Sequence, residues 1–412
     1  MNKQKNTKTK NSFLKFYSTY YSLFYYLFII IILITIIYVS NLDYYAAYTI
    51  DYLINRDSYT FKEESQQKDN KIVDENYFLT DYLNYIRNKK LERLPLIESK
   101  PVPEILIENL TQENVAKISN HFTEPFVVRG LIKDFDCVKK WNLDYFEKEF
   151  GDVEVLSFSD DKNLAYSKTQ STKLKICKSD NNLCSMKEIC ESIKKGDPIY
   201  VNNISKLFTE NEQARNELNL VKMDQIINEK FIKQKRKSDF LSQLFLGGKN
   251  TGTSLHSSSN INFFFNIKGE KRWGFISPKY TPFIKCQTSR KALFAVSEYD
   301  FFSESPDSPY LKIPRYETVL KSGDFLFNPA WYWHAVKNKS DYTIAVANRY
   351  MFEMFGEIPV ITNHIFFSFL QIFSPQYYYK VLSKEDGVSA QEYHGHRIDQ
   401  EIINNISNSD AL

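Results

Sequence analysis

Six short apolar runs constrain this chain most: Leu241 to Leu246, Ile261 to Ile267, Arg272 to Ile276, Glu317 to Leu320, Asp324 to Phe327 and Tyr342 to Asn348. Each has the length of a strand and turn residues separate them, so the region predicts a sandwich or barrel. Within Ile261-Asn-Phe-Phe-Phe-Asn-Ile267, alternation puts Ile261, Phe263, Phe265 and Ile267 on one face and Asn262, Phe264 and Asn266 on the other. Periodicity alone favours a solvent-facing asparagine face. Inside a barrel the same amides would each cost about 1 to 3 kcal/mol unless partners were found. His256 lies just before this run and His334 follows Asn328-Pro-Ala-Trp-Tyr-Trp. Each alone reads as a structural histidine.

A second feature bears on topology. No charged residue occurs from Phe16 to Leu42, a stretch long enough to cross a hydrocarbon layer as a helix. Its apolar part is longer than that of a cleaved signal peptide and no clean small-x-small site follows, so an uncleaved anchor is expected. Five lysines precede it (Lys3, Lys5, Lys8, Lys10, Lys15), which keeps the N-terminus cytosolic and the rest lumenal. The expected organisation is a basic cytosolic tail (1–15), a transmembrane signal anchor (16–42), a lumenal stem (43–76), a folded domain (77–350) and a C-terminal helical extension (351–412). The expected placement is a single-pass type II protein of the secretory pathway, in endoplasmic reticulum or Golgi rather than plasma membrane. Sequons at Asn109, Asn203, Asn338 and Asn405 agree with that side. Five cysteines are too few for a disulfide scaffold, but Cys177, Cys184 and Cys190 lie close enough in sequence for a bridge, with Cys137 and Cys286 equally open as partners. Fifty-three Lys and Arg against 50 Asp and Glu give a net charge of only +3, which argues against nucleic acid as a partner.

Four pieces, Pro125-Phe-Val-Val-Arg-Gly-Leu-Ile132, Trp141 to Gly151, Gly252 through Lys268-Gly-Glu-Lys-Arg-Trp273, and Lys321-Ser-Gly-Asp-Phe-Leu-Phe-Asn-Pro-Ala-Trp-Tyr-Trp-His334, share order and spacing with a known family. Residues 125 to 350 resemble a JmjC, or cupin-like, domain of the iron- and 2-oxoglutarate-dependent oxygenases. The resemblance implies a mostly β fold with flanking helices: a double-stranded β-helix of the jelly-roll or cupin type, with its active site in the mouth of the barrel. In that family a His-x-Asp/Glu motif and a distal histidine hold Fe(II). His256 matches the first ligand and His334 the distal one, while Ser258 stands where the carboxylate belongs. A neutral hydroxyl is a poor substitute for that anion. The resemblance also implies 2-oxoglutarate as cosubstrate, with Thr253 and Lys271 at its distal carboxylate and Asn262 and Asn348 near its other end; the Asn348 correspondence requires a one-residue shift. Without the resemblance, Lys271 reads as a solvated lysine.

Three readings follow: a lumenal oxygenase acting on a protein or peptide side chain, a degenerate barrel kept for binding or scaffolding, and a site whose missing arm is supplied by another anion or an outside carboxylate. Other motifs carry less. Gly247-Gly-Lys-Asn-Thr-Gly252 lacks the lysine of a phosphate loop and reads as a turn. Asp134-Phe-Asp136 fits a glycosyltransferase metal motif only by a three-residue pattern. The basic run Lys230 to Lys237 reads as a solvated face, His394 and His396 as a surface turn, and His364 to Phe373 as an apolar segment too short to span a membrane.

Overall fold

The computed structural model describes residues 42–54, 78–156, 158–159, 183–231, 241–258, 260–288, 294–297, 300–303, 305 and 308–350. The segments expected to form a cytosolic tail and, but for Leu42, a membrane anchor lie outside these residues, as do most of the expected stem, the expected C-terminal extension and the histidines at 364, 394 and 396. Among the described residues no helix is long and apolar enough to cross a membrane.

The chain divides into two compact units, residues 1–56 with 68–86, and residues 57–67 with 87–412. In the first, helix α1 (Leu42–Ile54) buries Tyr44, Ala47 and Tyr48. Tyr44 and Tyr48, four residues apart, share one helix face and stack at 5.9 Å. Helix α2 (Phe78–Glu92) begins in this unit and continues into the second.

The second unit carries the expected β architecture. Its strands are β1 (Lys100–Pro101), β2 (Glu104–Ile105), β3 (Phe126–Val128), β4 (Glu154–Leu156), β5 (Phe158–Ser159), β6 (Leu183–Ser185), β7 (Ile199–Ile204), β8 (Leu241–Gly248) and β9 (Gly252–Ser258). Then follow β10 (Ile261–Lys268), β11 (Lys271–Ile276), β12 (Cys286–Thr288), β13 (Phe294–Ser297), β14 (Arg315–Leu320), β15 (Phe325–Asn328), β16 (Trp333–Asn338) and β17 (Tyr342–Tyr350). One large sheet has the order β1-β14-β11-β16-β9-β13-β12 and a second β2-β3-β15-β10-β17-β8-β7-β5, while β4 and β6 pair by themselves; pairing is antiparallel except at β1–β14 and β2–β3. Val102, Tyr200, Phe245, Phe264, Trp273, Phe275, Leu326 and Val336, drawn from both sheets, form one buried cluster between them. This is the jelly roll anticipated from the sequence.

Helices cover the flanks: α3 (Gln112–Ile118), α4 (Asp136–Lys140), α5 (Leu143–Glu149), α6 (Met186–Lys194), α7 (Lys206–Glu210), α8 (Glu212–Leu218) and α9 (Leu220–Lys230). Their starts follow from local chemistry. Thr111 and Asn142 side chains accept the backbone N–H three residues on, and Ser185 with Glu188 forms a reciprocal capping box. Trp141 precedes α5, fully buried, and its indole N–H donates to Glu217 at 2.7 Å.

Strand β10 explains the triple phenylalanine, because both its faces are covered. Phe264 points between the sheets, while Phe263 and Phe265 pack outward with Phe325, and Phe263 also meets Phe231. The asparagine face therefore turns inward, contrary to the expectation from periodicity: Asn262 is 7% and Asn266 0% exposed. Asp324, 4% exposed, fixes the corner between β3 and β15. It accepts from Arg129 Nη1 at 2.6 Å, Gly130 N at 2.9 Å and Lys321 N at 2.8 Å. Asp324→Ala removes a half-buried ion pair and leaves the Gly130 and Lys321 N–H groups without their acceptor, so it should cost about 1 to 3 kcal/mol in urea unfolding. A loss below about 0.5 kcal/mol, the range of ordinary surface substitutions, would show that this corner is not structural.

Candidate functional site

Strands β9 and β16 hold the two histidines in direct register, His334 opposite His256. The sequence placed His256 before a strand. It lies instead within β9, whose polar Gly252-Thr-Ser-Leu-His-Ser-Ser258 sequence hides strand character. An irregularity in this pairing sets Thr253 opposite Val336, although Thr253 and His256 are three residues apart. The extra residue turns Thr253 to the same inward face as His256, where a regular strand would have opposed them. Ser258 shares that face by alternation.

The ring centroids of His256 and His334 are 4.1 Å apart. His256 Nδ1 lies 2.8 Å from the Ser254 carbonyl and His334 Nδ1 2.9 Å from the Tyr332 carbonyl. A carbonyl can only accept, so both rings carry their proton on Nδ1 and present Nε2 as a lone-pair donor. Trp273 stacks on His334 at 5.6 Å and 18°. Burial lowers the His334 pKa to about 4, with a smaller push from Arg349, so this imidazole is neutral at ordinary pH. Trp331 enters β16 at a φ of 62°, a conformation costly for a bulky side chain. Its N–H donates to the Ser258 carbonyl at 2.6 Å and its carbonyl accepts from Ser257 Oγ at 2.7 Å, which ties the start of β16 to the end of β9.

Lys271 is not a solvated lysine. It is 0% exposed, donates to Asn338 Oδ1 at 2.7 Å and lies 5.4 Å over the Tyr200 ring. Desolvation drives its pKa down to about 7. Asn338, whose amide also donates to Thr251 Oγ1 at 3.0 Å, is itself fully buried, so its sequon is closed in the folded domain. Gly247 leaves room for this group, since a Cβ there would meet the Tyr200 ring and stand 2.7 Å from Asn338 Nδ2.

Three buried oxygens around the histidines have no hydrogen-bond partner: Thr253 Oγ1, Asn262 Oδ1 and Asn328 Oδ1. Asn262 and Asn328 are in register across β10 and β15, and Asn328 Nδ2 sits 3.3 Å from both ring nitrogens of His334. Asn348 departs from the expectation. It pairs with Phe263 on the outward face of β17, accepting from Ser242 Oγ at 2.9 Å and contacting Met223 Sδ at 3.6 Å. The β17 residue in register with Asn262 is Arg349, whose guanidinium lies 5.9 Å over the inward-facing Phe245 ring. The one-residue shift required of Asn348 therefore fails, because alternation sends neighbours to opposite faces.

The donor set suits a divalent ion in part. Two imidazoles, each held through Nδ1, can offer Nε2 to it, while Ser258 on the same face of β9 is a neutral hydroxyl and no group of three or more His, Cys, Asp or Glu gathers among the described residues. An anion with two carboxylates finds a cation in Lys271 and open polar positions at Thr253 and Asn262. Other motifs stay outside the site: Asp134 and Asp136 are exposed and Asp136 pairs with Lys140 at 3.0 Å, while Gly247 and Gly248 end β8 before a turn at Lys249 and Asn250. The sequence marks Asn338 only as a sequon and gives Asn328 and Arg349 no role; the available signal was a polar residue closing the apolar run Phe325-Leu-Phe-Asn328.

Comparison with known proteins adds the lineage. Residues 115–357 match the family described as "Cupin-like domain". The chain is 36% identical over 100 residues to JmjC domain-containing protein D of Dictyostelium discoideum, covering 23% of this chain and 22% of that protein. It is 22% identical over 298 residues to JmjC domain-containing protein E of the same organism, covering 60% of this chain and 82% of the relative. It is 23% identical over 254 residues to chicken tRNA wybutosine-synthesizing protein 5, covering 58% and 76%. The match spans about a fifth of the first of these and most of the other two. With a family match across more than half its length and a jelly roll that brings His256, His334, Thr253 and Lys271 to one interior, this chain belongs to the cupin-like, JmjC-type domain family.

Proposed function

We propose that this chain is a membrane-anchored, lumenal cupin-like protein that binds 2-oxoglutarate and, weakly, ferrous iron, and that it acts on a protein or peptide side chain. The observation that carries this reading is the polar cluster inside an otherwise apolar jelly roll. Three partnerless oxygens, a desolvated lysine and two buried histidines are together costly unless a polar ligand joins them. When bound, iron and 2-oxoglutarate supply oxygen activation coupled to decarboxylation of the cosubstrate. The residues themselves do the positioning. Lys271 neutralises one carboxylate of the ligand, held in line by Asn338. Thr253 donates its hydroxyl beside it, and Asn262 offers its amide at the other end. Trp273 fixes the plane of the His334 ring, and the surrounding aromatic residues exclude water.

Ser258 favours a second reading, a barrel without turnover that serves as a binding or scaffold module. The two separate on succinate formation: steady release from 2-oxoglutarate by the unmodified protein supports the oxygenase, and its absence with ligand binding intact supports the scaffold. Anchoring through residues 16–42 rests on the absence of any charged residue there, and the lumenal side on the lysines before them. The disulfide at Cys184 agrees with an oxidising compartment. Cys137 and Cys190 are buried free thiols whose pKa burial pushes up to about 12, so they are inert there.

The depressed Lys271 pKa gives a pH signature. The ammonium form binds a carboxylate and the neutral amine does not, so binding takes up a proton above about pH 7. Calorimetry should show 2-oxoglutarate affinity falling up to about tenfold per pH unit above that point. Lys271→Met should weaken binding and flatten the profile; an unchanged affinity would remove Lys271 from the ligand. For topology, glycosidase-sensitive modification is expected at the exposed Asn109 and not at the buried Asn338. An unmodified chain recovered entirely from cytosol would contradict the lumenal placement.

A further inference from the structure

We propose that Gln243 decides which dicarboxylate this interior takes. Its side-chain amide hydrogen-bonds an oxygen on the carbon next to a carboxylate, so the site selects 2-oxo and 2-hydroxy dicarboxylates over the plain dicarboxylate of the same length. This rests on the reading that Lys271 holds one carboxylate of the ligand.

Gln243 lies in β8 opposite Ala347 of β17. Ala347 belongs to the cluster between the sheets, as does Phe245 two residues along β8, so register and alternation both turn Gln243 inward. It is 1% exposed, and its side-chain oxygen meets no donor. Its neighbours cannot supply one: Ala347, Phe264 on the far side of Ala347, and Phe245 have no polar side-chain atom. A methionine or leucine of similar volume would fill the position without stranding a polar group.

Depth ties this residue to the site. Gly247 marks the level of Lys271, because a Cβ on Gly247 would stand 2.7 Å from Asn338 Nδ2, and Asn338 Oδ1 accepts from Lys271. From that level Gln243 lies four residues along β8 and His334 four residues along β16, each about 13 Å away. Both runs head for the same end of the barrel. Leu241, two residues past Gln243, is in register with Arg349, and Arg349 with Asn262. Asn328, opposite Asn262, lies against His334. Gln243 therefore stands in one sheet at about the depth that His334 holds in the other. Trp273, stacked on His334, brings a second buried polar group without a partner, its indole N–H.

A ligand with one carboxylate on Lys271 extends from there toward the histidines, where Gln243 meets it. A carboxamide carries both a donor and an acceptor. It donates to a keto oxygen or accepts from a hydroxyl, whereas a bare methylene leaves it stranded. Sites built to hydrogen-bond a substrate group reject the analogue that lacks it for this reason.

The test is calorimetry on the full-length protein in detergent with EDTA present, so that chelation by a metal cannot favour the keto group. The probes are 2-oxoglutarate, 2-hydroxyglutarate and glutarate. The wild type should bind the first two at least about tenfold more tightly than glutarate. Gln243→Met should bring all three within about threefold of one another, while affinity still falls above about pH 7 through Lys271. The thermal midpoint of ligand-free Gln243→Met should equal or exceed that of the wild type, because a stranded amide has been removed. A wild type without preference against glutarate, or a Gln243→Met that keeps the preference, would overturn the role of Gln243 and leave that of Lys271 standing. A lowered ligand-free midpoint would mark the amide as structural and overturn it likewise. No binding of any probe by the wild type, or binding that Lys271→Met leaves intact, would overturn the ligand reading and this inference with it.

Discussion

The antiparallel pairing of His256 with His334 governs the interior of this protein. Because those two residues face each other across β9 and β16, their ring centroids come within 4.1 Å, and each Nδ1 finds the carbonyl two residues before it. Every other polar position is referred to that pair. The irregularity in the same ladder turns Thr253 inward, and the neighbouring β11 sets Lys271 opposite Asn338, Trp273 opposite Val336 and Phe275 opposite His334. A slip of one residue in β16 would send His334 to the outer face and leave Lys271 without Asn338.

Holding so much polarity in an apolar sandwich has a cost that the fold meets unevenly. Asn338 is satisfied three times over, by Lys271, Thr251 and Gly248. Thr253, Asn262 and Asn328 are left with bare oxygens, at about 1 to 3 kcal/mol each. The apolar framework tolerates this because it is covered on both sides: aromatic stacking on the outer face of β3, β10 and β15, with Phe126 on Phe327 at 5.3 Å and Phe231 on Phe325 at 5.0 Å, adds to the cluster between the sheets. Unsatisfied groups inside a well-packed core are where a ligand is most easily accommodated.

Much of the fold was legible in the sequence, and the reasons differ by element. Strands β8, β10, β11, β14, β15 and β17 are apolar runs, and their limits came within a few residues of those observed. Strands β7, β9 and β16 were not read as strands, because polar residues interrupt them; β9 in particular is polar precisely where the barrel interior requires polarity. The histidines, Thr253 and Lys271 came from family resemblance, and the structure brings them to one interior. The asparagines split. Asn262 turned inward because β10 is covered on both faces, which periodicity in one strand cannot reveal. Asn348 turned outward because register with Phe263 fixes its face, and Arg349 occupies the inward position. Asn328 acquires meaning only from its neighbour across β10, a relation absent from linear sequence.

The central claim is that the two imidazoles act together on one ion. X-ray absorption at the cobalt edge of the metal-loaded, full-length protein tests it most directly. A coordination shell with the outer scattering of two imidazole rings is the expected result; a shell of oxygen or sulfur donors with no imidazole would contradict it.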